Sequence, residues 1–265
     1  MSLAATVLNS IRVKNELLDK NEHRLSEYGA FDFFVQQSMS NPLLTDEMKQ
    51  QAIRSMGKTL QMPVINYDGN VSVSNVRSCT VADAENTSAL ATVTFATYAV
   101  GFTVVPAMYS NNEIDMQMDI ERKYMKSARV LGAALDTAAI AALEANKSQV
   151  FADTLIYTDS SDVIQVPWAS REDILSDIEP MMNSNDYYGR VHIVGNTGVR
   201  SLLNKLAEKG DYNVVNKSLE WAGKEFHFSN RIANDTGKYA TFYAVEDGNV
   251  DLLFRYDREA VNGTQ

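Results

Sequence analysis

Apolar residues recur at helical spacing through one long stretch of the chain. From Ser110 to Asn146 they fall at Ile114, Met118, Met125, Ala128, Leu131, Leu135, Ala138, Ala142 and Leu143, which predicts one amphipathic helix with a single buried stripe. Such a helix would be roughly 50 Å long, about three times the usual length in globular proteins. Ser110 and Glu113 stand at capping-box spacing (Ser-Asn-Asn-Glu), which satisfies orphan amides at the start. Ala-rich turns favour the helix further along, and Gly132 alone works against it, at about 1 kcal/mol relative to alanine. The apolar spacing drifts from a strict heptad, so a coiled coil is the weakest reading. A buried core helix or the spine of an elongated subunit remains.

Before this helix the period changes from 3.6 to 2. Val64 to Val76 alternates around Asp68-Gly69, a hairpin turn, and Leu90 to Val105 alternates again through Ala91-Thr92-Val93-Thr94-Phe95-Ala96-Thr97-Tyr98, so residues 61–108 read as a long β-hairpin with a return strand. Its side chains are too small to build a core of their own, and it needs a partner surface. Residues 1–60 form a polar, helix-prone arm, broken at Asn41-Pro42 and resumed by a helix led by Thr45. Within the arm, Tyr28-Gly29-Ala30-Phe31-Asp32-Phe33-Phe34 packs four aromatics into seven residues. In a monomer they would be local core; on an extended arm they would anchor onto a neighbour.

Past the long helix, residues 149–265 read as an α/β unit. A capped helix begins at Ser170 (Ser-Arg-Glu-Asp), a strand follows at Arg190–Val194, and Gly195-Asn196-Thr197-Gly198 turns into a helix at Val199–Glu208. Phe226–Phe228 is a further strand. Tyr239–Val245 and Val250–Tyr256 flank Glu246-Asp247-Gly248-Asn249 as a terminal hairpin.

Composition narrows the function more than the fold. The chain has 265 residues, is 45% hydrophobic and 22% charged, and carries a net charge of -10. That acidity argues against a tight grip on nucleic acid, which depends on Lys and Arg neutralising phosphates. The arm is balanced, with seven basic and seven acidic residues in 1–60, whereas 147–265 holds twelve against eighteen. Cys79 is the one cysteine, so an intrachain disulfide and a thiolate metal cluster are both impossible. No apolar run reaches the roughly 20 residues of a membrane helix, and no signal-peptide core is visible, so the chain is expected to be made inside the cell.

Candidate chemistry is sparse. Gly195–Gly198 sits between a strand and a helix, where phosphates bind, but lacks the spacing of a dinucleotide fingerprint or a P-loop. His23, His192 and His227 lie in different elements with no ligand spacing, and read as surface or strand-packing residues. Glu113, Asp115, Asp119 and Glu121 suit the positive end of the helix dipole; no oxygen-rich loop of calcium type accompanies them. No catalytic residue, cofactor or metal is expected.

Taken in order, a helical arm, a long β-hairpin, a spine helix and an α/β unit resemble the tailed-bacteriophage major capsid proteins, the Johnson fold of Hong Kong phage type. The stretch Tyr98-Ala99-Val100-Gly101-Phe102-Thr103-Val104-Val105-Pro106 is similar to the returning strand of that family's extended loop. Val191–Asn196, Leu202–Gly210 and Trp221–Ile232 resemble successive parts of its axial domain. The resemblance implies an α+β chain: an N-terminal arm at 1–60, the extended hairpin loop and return strand at 61–108, the spine helix of a peripheral domain at 109–150, and a mainly axial domain at 151–265.

It also implies a structural head protein of a phage or prophage, not an enzyme, self-assembling into pentamers and hexamers of an icosahedral shell around double-stranded DNA. Expected partners are copies of the chain, with scaffolding and portal proteins as further candidates. DNA would be enclosed without specific binding, no membrane would be involved, and the protein would reside in the virion after assembly in the host cytoplasm. Inter-subunit contacts are then expected at Tyr28, Phe31, Phe33 and Phe34 on the arm and at Tyr67, Asp68, Gly69 and Arg77 on the loop. Residues 66–100 contain no lysine, so the isopeptide cross-link of some family members is not expected. The chain stops soon after the last strand, where the family returns to its peripheral domain, so a longer natural chain is expected. Two alternatives stay open: an encapsulin-like nanocompartment shell protein, and an enzyme binding a phosphorylated ligand at Gly195–Gly198.

Overall fold

The structure, a computed structural model, describes residues 28–40, 44–54, 59–66, 87–109, 113–147, 157–159, 163–171, 173–206, 211–213, 218–221, 223–234 and 237–254. It is a mixture of helix and sheet in two compact units. One comprises residues 1–43 and 98–252, and the other residues 44–97 and 253–265.

The larger unit is built on a five-stranded sheet. Its strands are β5 (Val191–Gly195), β6 (Asp211–Asn213), β7 (Ser218–Trp221), β8 (Lys224–Phe228) and β9 (Phe242–Glu246), in the order β6-β7-β8-β5-β9. β5 and β8 are parallel, with His192 opposite Glu225 and Val194 opposite His227; every other pairing is antiparallel. Each residue of β5 and β8 is buried, as expected of central strands covered on both faces.

Alternation divides their side chains between two cores. Val191, Ile193, Phe226 and Phe228 meet Ile174, Leu175, Ile178 and Met181 of α4 (Asp173–Asn183) and Val199 and Leu203 of α5 (Thr197–Leu206). Val194 faces the other way, in one cluster with Ala30, Phe33 and Phe34 of α1 (Gly29–Ser40) and Ala139 and Leu143 of α3 (Glu113–Ala145). α1 buries Ala30, Phe33, Phe34 and Gln37, the i, i+3, i+4, i+7 stripe of a helix laid on a surface. A short two-stranded ladder, β3 (Thr158–Asp159) with β4 (Ile164–Gln165), precedes a single 3₁₀ turn at Trp168–Ser170.

The long helix forms over 33 residues, with Ile120, Asp136, Ala139 and Leu143 buried. That line differs from the expected stripe: Met118 is half-exposed and Ala142 exposed. Asp136 shows why. The buried face is chosen by what packs on it, and a carboxylate there is held by partners from distant segments. Gly132 is a close approach rather than a defect, because a Cβ would lie 3.0 Å from the Tyr28 ring. Gly29 is tighter still: its Cβ would meet the Phe228 carbonyl oxygen at 2.1 Å. Gly29→Ala is therefore expected to cost about 1–3 kcal/mol through overpacking, read as a lower urea midpoint; an unchanged midpoint would mean that α1 does not sit this closely on β8.

The smaller unit contains α2 (Asp46–Arg54) and the ladder of β1 (Thr59–Asn66) with β2 (Thr87–Thr94). Thr45 precedes α2 and caps it, its Oγ1 accepting the Met48 amide at 3.4 Å. β1 and β2 are antiparallel, with Thr59 opposite Thr94 and Asn66 opposite Thr87. The expected turn at Asp68-Gly69 lies outside the described residues. The expected return strand through Val105 is shorter than its alternation suggested. β2 ends at Thr94, and residues 95–105 are in neither helix nor strand.

The expected terminal hairpin is also corrected. β9 pairs with β5, and residues 250–254 form no strand. The Glu246–Asn249 turn forms, with Gly248 at φ 84, but Val250 and Leu252 leave it to pack on the α1–α3 side of the sheet. Burial there outweighs a second ladder on an edge strand.

Candidate functional site

Two features of the described residues could carry function: a polar seam beneath α1, and an apolar segment left open to solvent.

The seam follows from strand alternation. Glu225 and His227 are two apart on β8 and so share a face, and the parallel register places His192 beside them. All three are buried. The imidazole rings stack with centroids 5.8 Å apart, and the Phe33 ring packs over both, at 5.3 Å from His192 and 5.0 Å from His227. Glu225 Oε1 accepts from the Gln36 side-chain amide at 3.0 Å, and Oε2 lies 3.7 Å from His192 Nδ1 and 3.8 Å from the Arg190 guanidinium.

Gln37, fully buried, reaches His192 from α1. Its Oε1 accepts the Gly248 amide at 3.0 Å, so its NH₂ faces His192 Nε2 at 3.2 Å and must donate to it. The Gln37 contact favours the tautomer with its proton on Nδ1, toward Glu225, whereas Asp247 Oδ1, 3.4 Å from Nε2, favours the other. Burial lowers His192 below its ordinary range, against the opposing pull of Glu225 and Asp247. Burial also pushes His227 down to about 4. Both rings are neutral at pH 7, and Nδ1 of His192 and Nε2 of His227 are buried without a hydrogen-bond partner.

A second buried acid anchors the other end of α1. Asp136 of α3 accepts the Phe31 amide at 3.0 Å through Oδ1 and the Ser229 hydroxyl through Oδ2, and Arg231 stands 3.7 Å away. Phe31 lies in the first turn of α1, so Asp136 acts as an N-cap supplied by another helix. Asp136→Ala would remove the acceptor of the buried Ser229 hydroxyl and of the part-buried Phe31 amide, and about 3 kcal/mol of stability is expected to go with them. Thermal unfolding checks this, and an unchanged midpoint would count against the cap.

The open segment lies between β2 and α3. Every residue from 96 to 103 is exposed. Tyr98, Val100 and Phe102 are among the exposed large hydrophobics, as are Val105 and Met108 beyond them and Leu90, 67% exposed, on β2. The segment's root is pinned to α3. Lys123 Nζ donates to the Thr103 carbonyl at 2.9 Å, and Tyr109 of the 3₁₀ turn Pro106–Tyr109 donates to Asp119, which also pairs with Lys123 at 2.7 Å. Hydrogen bonds from Lys123 and Tyr109 hold the Asp119 carboxyl below its ordinary range. The acidic start of the long helix thus has a local structural use.

The residues expected to touch neighbouring subunits divide three ways. Phe33, fully buried, and Phe34, buried, pack in the cluster that α1 forms with α3 and β5. Tyr28 and Phe31 are half-buried. The Tyr28 hydroxyl donates to the Arg129 carbonyl at 3.3 Å, with the Arg231 guanidinium 5.1 Å from its ring. Tyr67, Asp68, Gly69 and Arg77 lie outside the described residues.

Gly195–Gly198 is a closed turn. Asn196, buried, accepts the Gly198 amide at 3.0 Å and the Val199 amide at 3.4 Å through Oδ1, which takes two of the amides a phosphate would use. A Cβ on Gly198 would meet the Tyr239 carbonyl oxygen at 2.3 Å, so the chain covers the turn. The His–Glu–His group was invisible to local spacing, because its members come from strands far apart in sequence. The one available signal was a polar residue inside apolar β5 and an alternating Glu-Phe-His on β8. No family model, no curated protein and no solved structure shows a significant match to this chain.

Proposed function

We propose that the chain is a structural, self-assembling shell subunit of the tailed-phage major capsid type, built on a Johnson-like fold and working through contacts with copies of itself. The observation that carries this reading is the exposed run from 96 to 103 with Tyr98, Val100 and Phe102. A water-facing backbone with apolar side chains and no ladder of its own suits pairing with another chain, since extended segments and strand edges are templates for association. The rigid attachment of its root at Thr103 and Tyr109 supports the same reading, because a pre-positioned segment loses less entropy on docking. The order of parts along the chain and the net charge of -10, which suits a wall enclosing DNA without adhering to it, add further support.

An encapsulin-like shell would share these features and differ in its contents: enzyme cargo in place of DNA. A phosphorylated ligand at Gly195–Gly198 is the less favoured reading, because Asn196 caps the Gly198 amide and the Tyr239 carbonyl lies over the turn. Electron microscopy and light scattering of the purified chain test the proposal. Closed shells, or rings of five or six, are expected; a strictly monomeric particle across assembly conditions would overturn it.

A further inference from the structure

We propose that His192, Glu225 and His227 form a binding site for one divalent transition-metal ion, with zinc the best-matched member of the class. The inference is independent of the assembly reading and rests on the seam alone. One ligand atom from each of the three side chains lies within 4.8 Å of the other two. In a tetrahedral zinc site with bonds of about 2.0–2.1 Å, neighbouring ligand atoms stand about 3.4 Å apart, so small side-chain rotations close the set around an ion. The arrangement has a structural cause: alternate residues on one strand and a registered residue on the next put three side chains on one sheet face.

A second observation points to a ligand. Nδ1 of His192 and Nε2 of His227 are buried with no partner, although buried polar atoms are nearly always paired. A metal ion would occupy both. Imidazole and carboxylate in a closely packed, four-coordinate arrangement suit zinc best, iron(II) with its two-histidine, one-carboxylate set comes second, and calcium and magnesium prefer oxygen alone. Coordination through Nδ1 moves the His192 proton to Nε2, which lies 3.4 Å from Asp247 Oδ1. A carboxylate behind a ligating histidine is the usual outer-shell support. Loading the ion therefore breaks the hydrogen bond between the Gln37 amide and that nitrogen. Three protein ligands leave the fourth tetrahedral position for a water or other small ligand, and Phe33 packs over both imidazole rings.

The purified full-length chain, stripped with chelator and reloaded with Zn²⁺, tests this by elemental analysis and titration calorimetry. One ion per chain is expected for the parent and for His23→Gln, with stoichiometric binding lost in His227→Gln and Glu225→Gln. Asp247→Asn is expected to weaken affinity about 10- to 100-fold. Folding of each variant is checked by circular dichroism. Should the ligand variants fail to fold, Co²⁺ loading of the parent decides, since four-coordinate Co²⁺ with nitrogen ligands gives intense visible absorption. Parent protein that takes up no stoichiometric zinc, a variant binding as the parent does, or a featureless Co²⁺ spectrum would overturn the assignment.

Discussion

Phe33→Ala is expected to remove about 3–5 kcal/mol of stability, the usual cost of emptying a fully buried aromatic position. Whole domains are stable by only about 5–15 kcal/mol, so the variant should unfold at a much lower urea concentration or fail to accumulate folded. The reason goes beyond one cavity. The Phe33 ring has no exposed surface and meets Phe34 at 5.8 Å and the rings of His192 and His227 at 5.3 and 5.0 Å. Removing it opens the seam and admits water beside Glu225 and two neutral imidazoles, while Gln36 and Gln37 lose the packing that holds their amides in place. Met39, on the same helix and 81% exposed, is the control: Met39→Ala should change stability by less than about 0.5 kcal/mol. If Phe33→Ala lost no more than that control, α1 would not be docked on the sheet in solution. Urea unfolding followed by circular dichroism distinguishes the two outcomes.

The surroundings of Phe33 show where sequence patterns stop being informative. Four aromatics in seven residues announce burial but not in whose core. The answer depends on α3 and β8, which lie far along the chain and take up Phe33 and Phe34. The long helix was legible because capping, alanine content and apolar spacing all act locally; it forms over Glu113–Ala145 within the expected Ser110–Asn146. Its buried face was less legible, because Asp136 looks polar in sequence and is fully buried in the fold, satisfied by Phe31 and Ser229. The same limit hid the histidine pair. No local spacing connects His192 to His227, and only the parallel register of β5 with β8 places them together. Alternation likewise predicted a strand to Val105 and a second arm of the last hairpin. Neither segment finds a ladder within the described part of this chain.

For the first of those segments, an alternating apolar pattern without an internal partner leads to the second large expectation. The combined variant Tyr98→Ser, Val100→Ser, Phe102→Ser should leave the subunit folded and abolish its assembly into rings or shells. Each of these side chains is already more than two-fifths exposed in the single chain, so thermal unfolding of the isolated subunit should move little. In an interface the remaining area would be buried. Full burial of a large apolar side chain contributes about 1.5–3 kcal/mol, and part of that is already realised here, so three substitutions remove about 3 kcal/mol per interface. That is on the order of a hundredfold in one contact. A ring repeats the contact at every subunit, and a loss repeated around a closed assembly becomes effectively all-or-none. Tyr188→Ser, at a position 73% exposed in the loop before β5, should assemble as the parent does. If the triple variant formed particles equally well, residues 98–102 would not be an interface, and the shell reading would lose the observation it chiefly rests on. If both variants failed to assemble, the effect would be one of general surface polarity rather than of this segment. Assembly lost in the first and kept in the second would place the contact on the stretch where the chain is exposed, apolar and without a strand of its own to pair with.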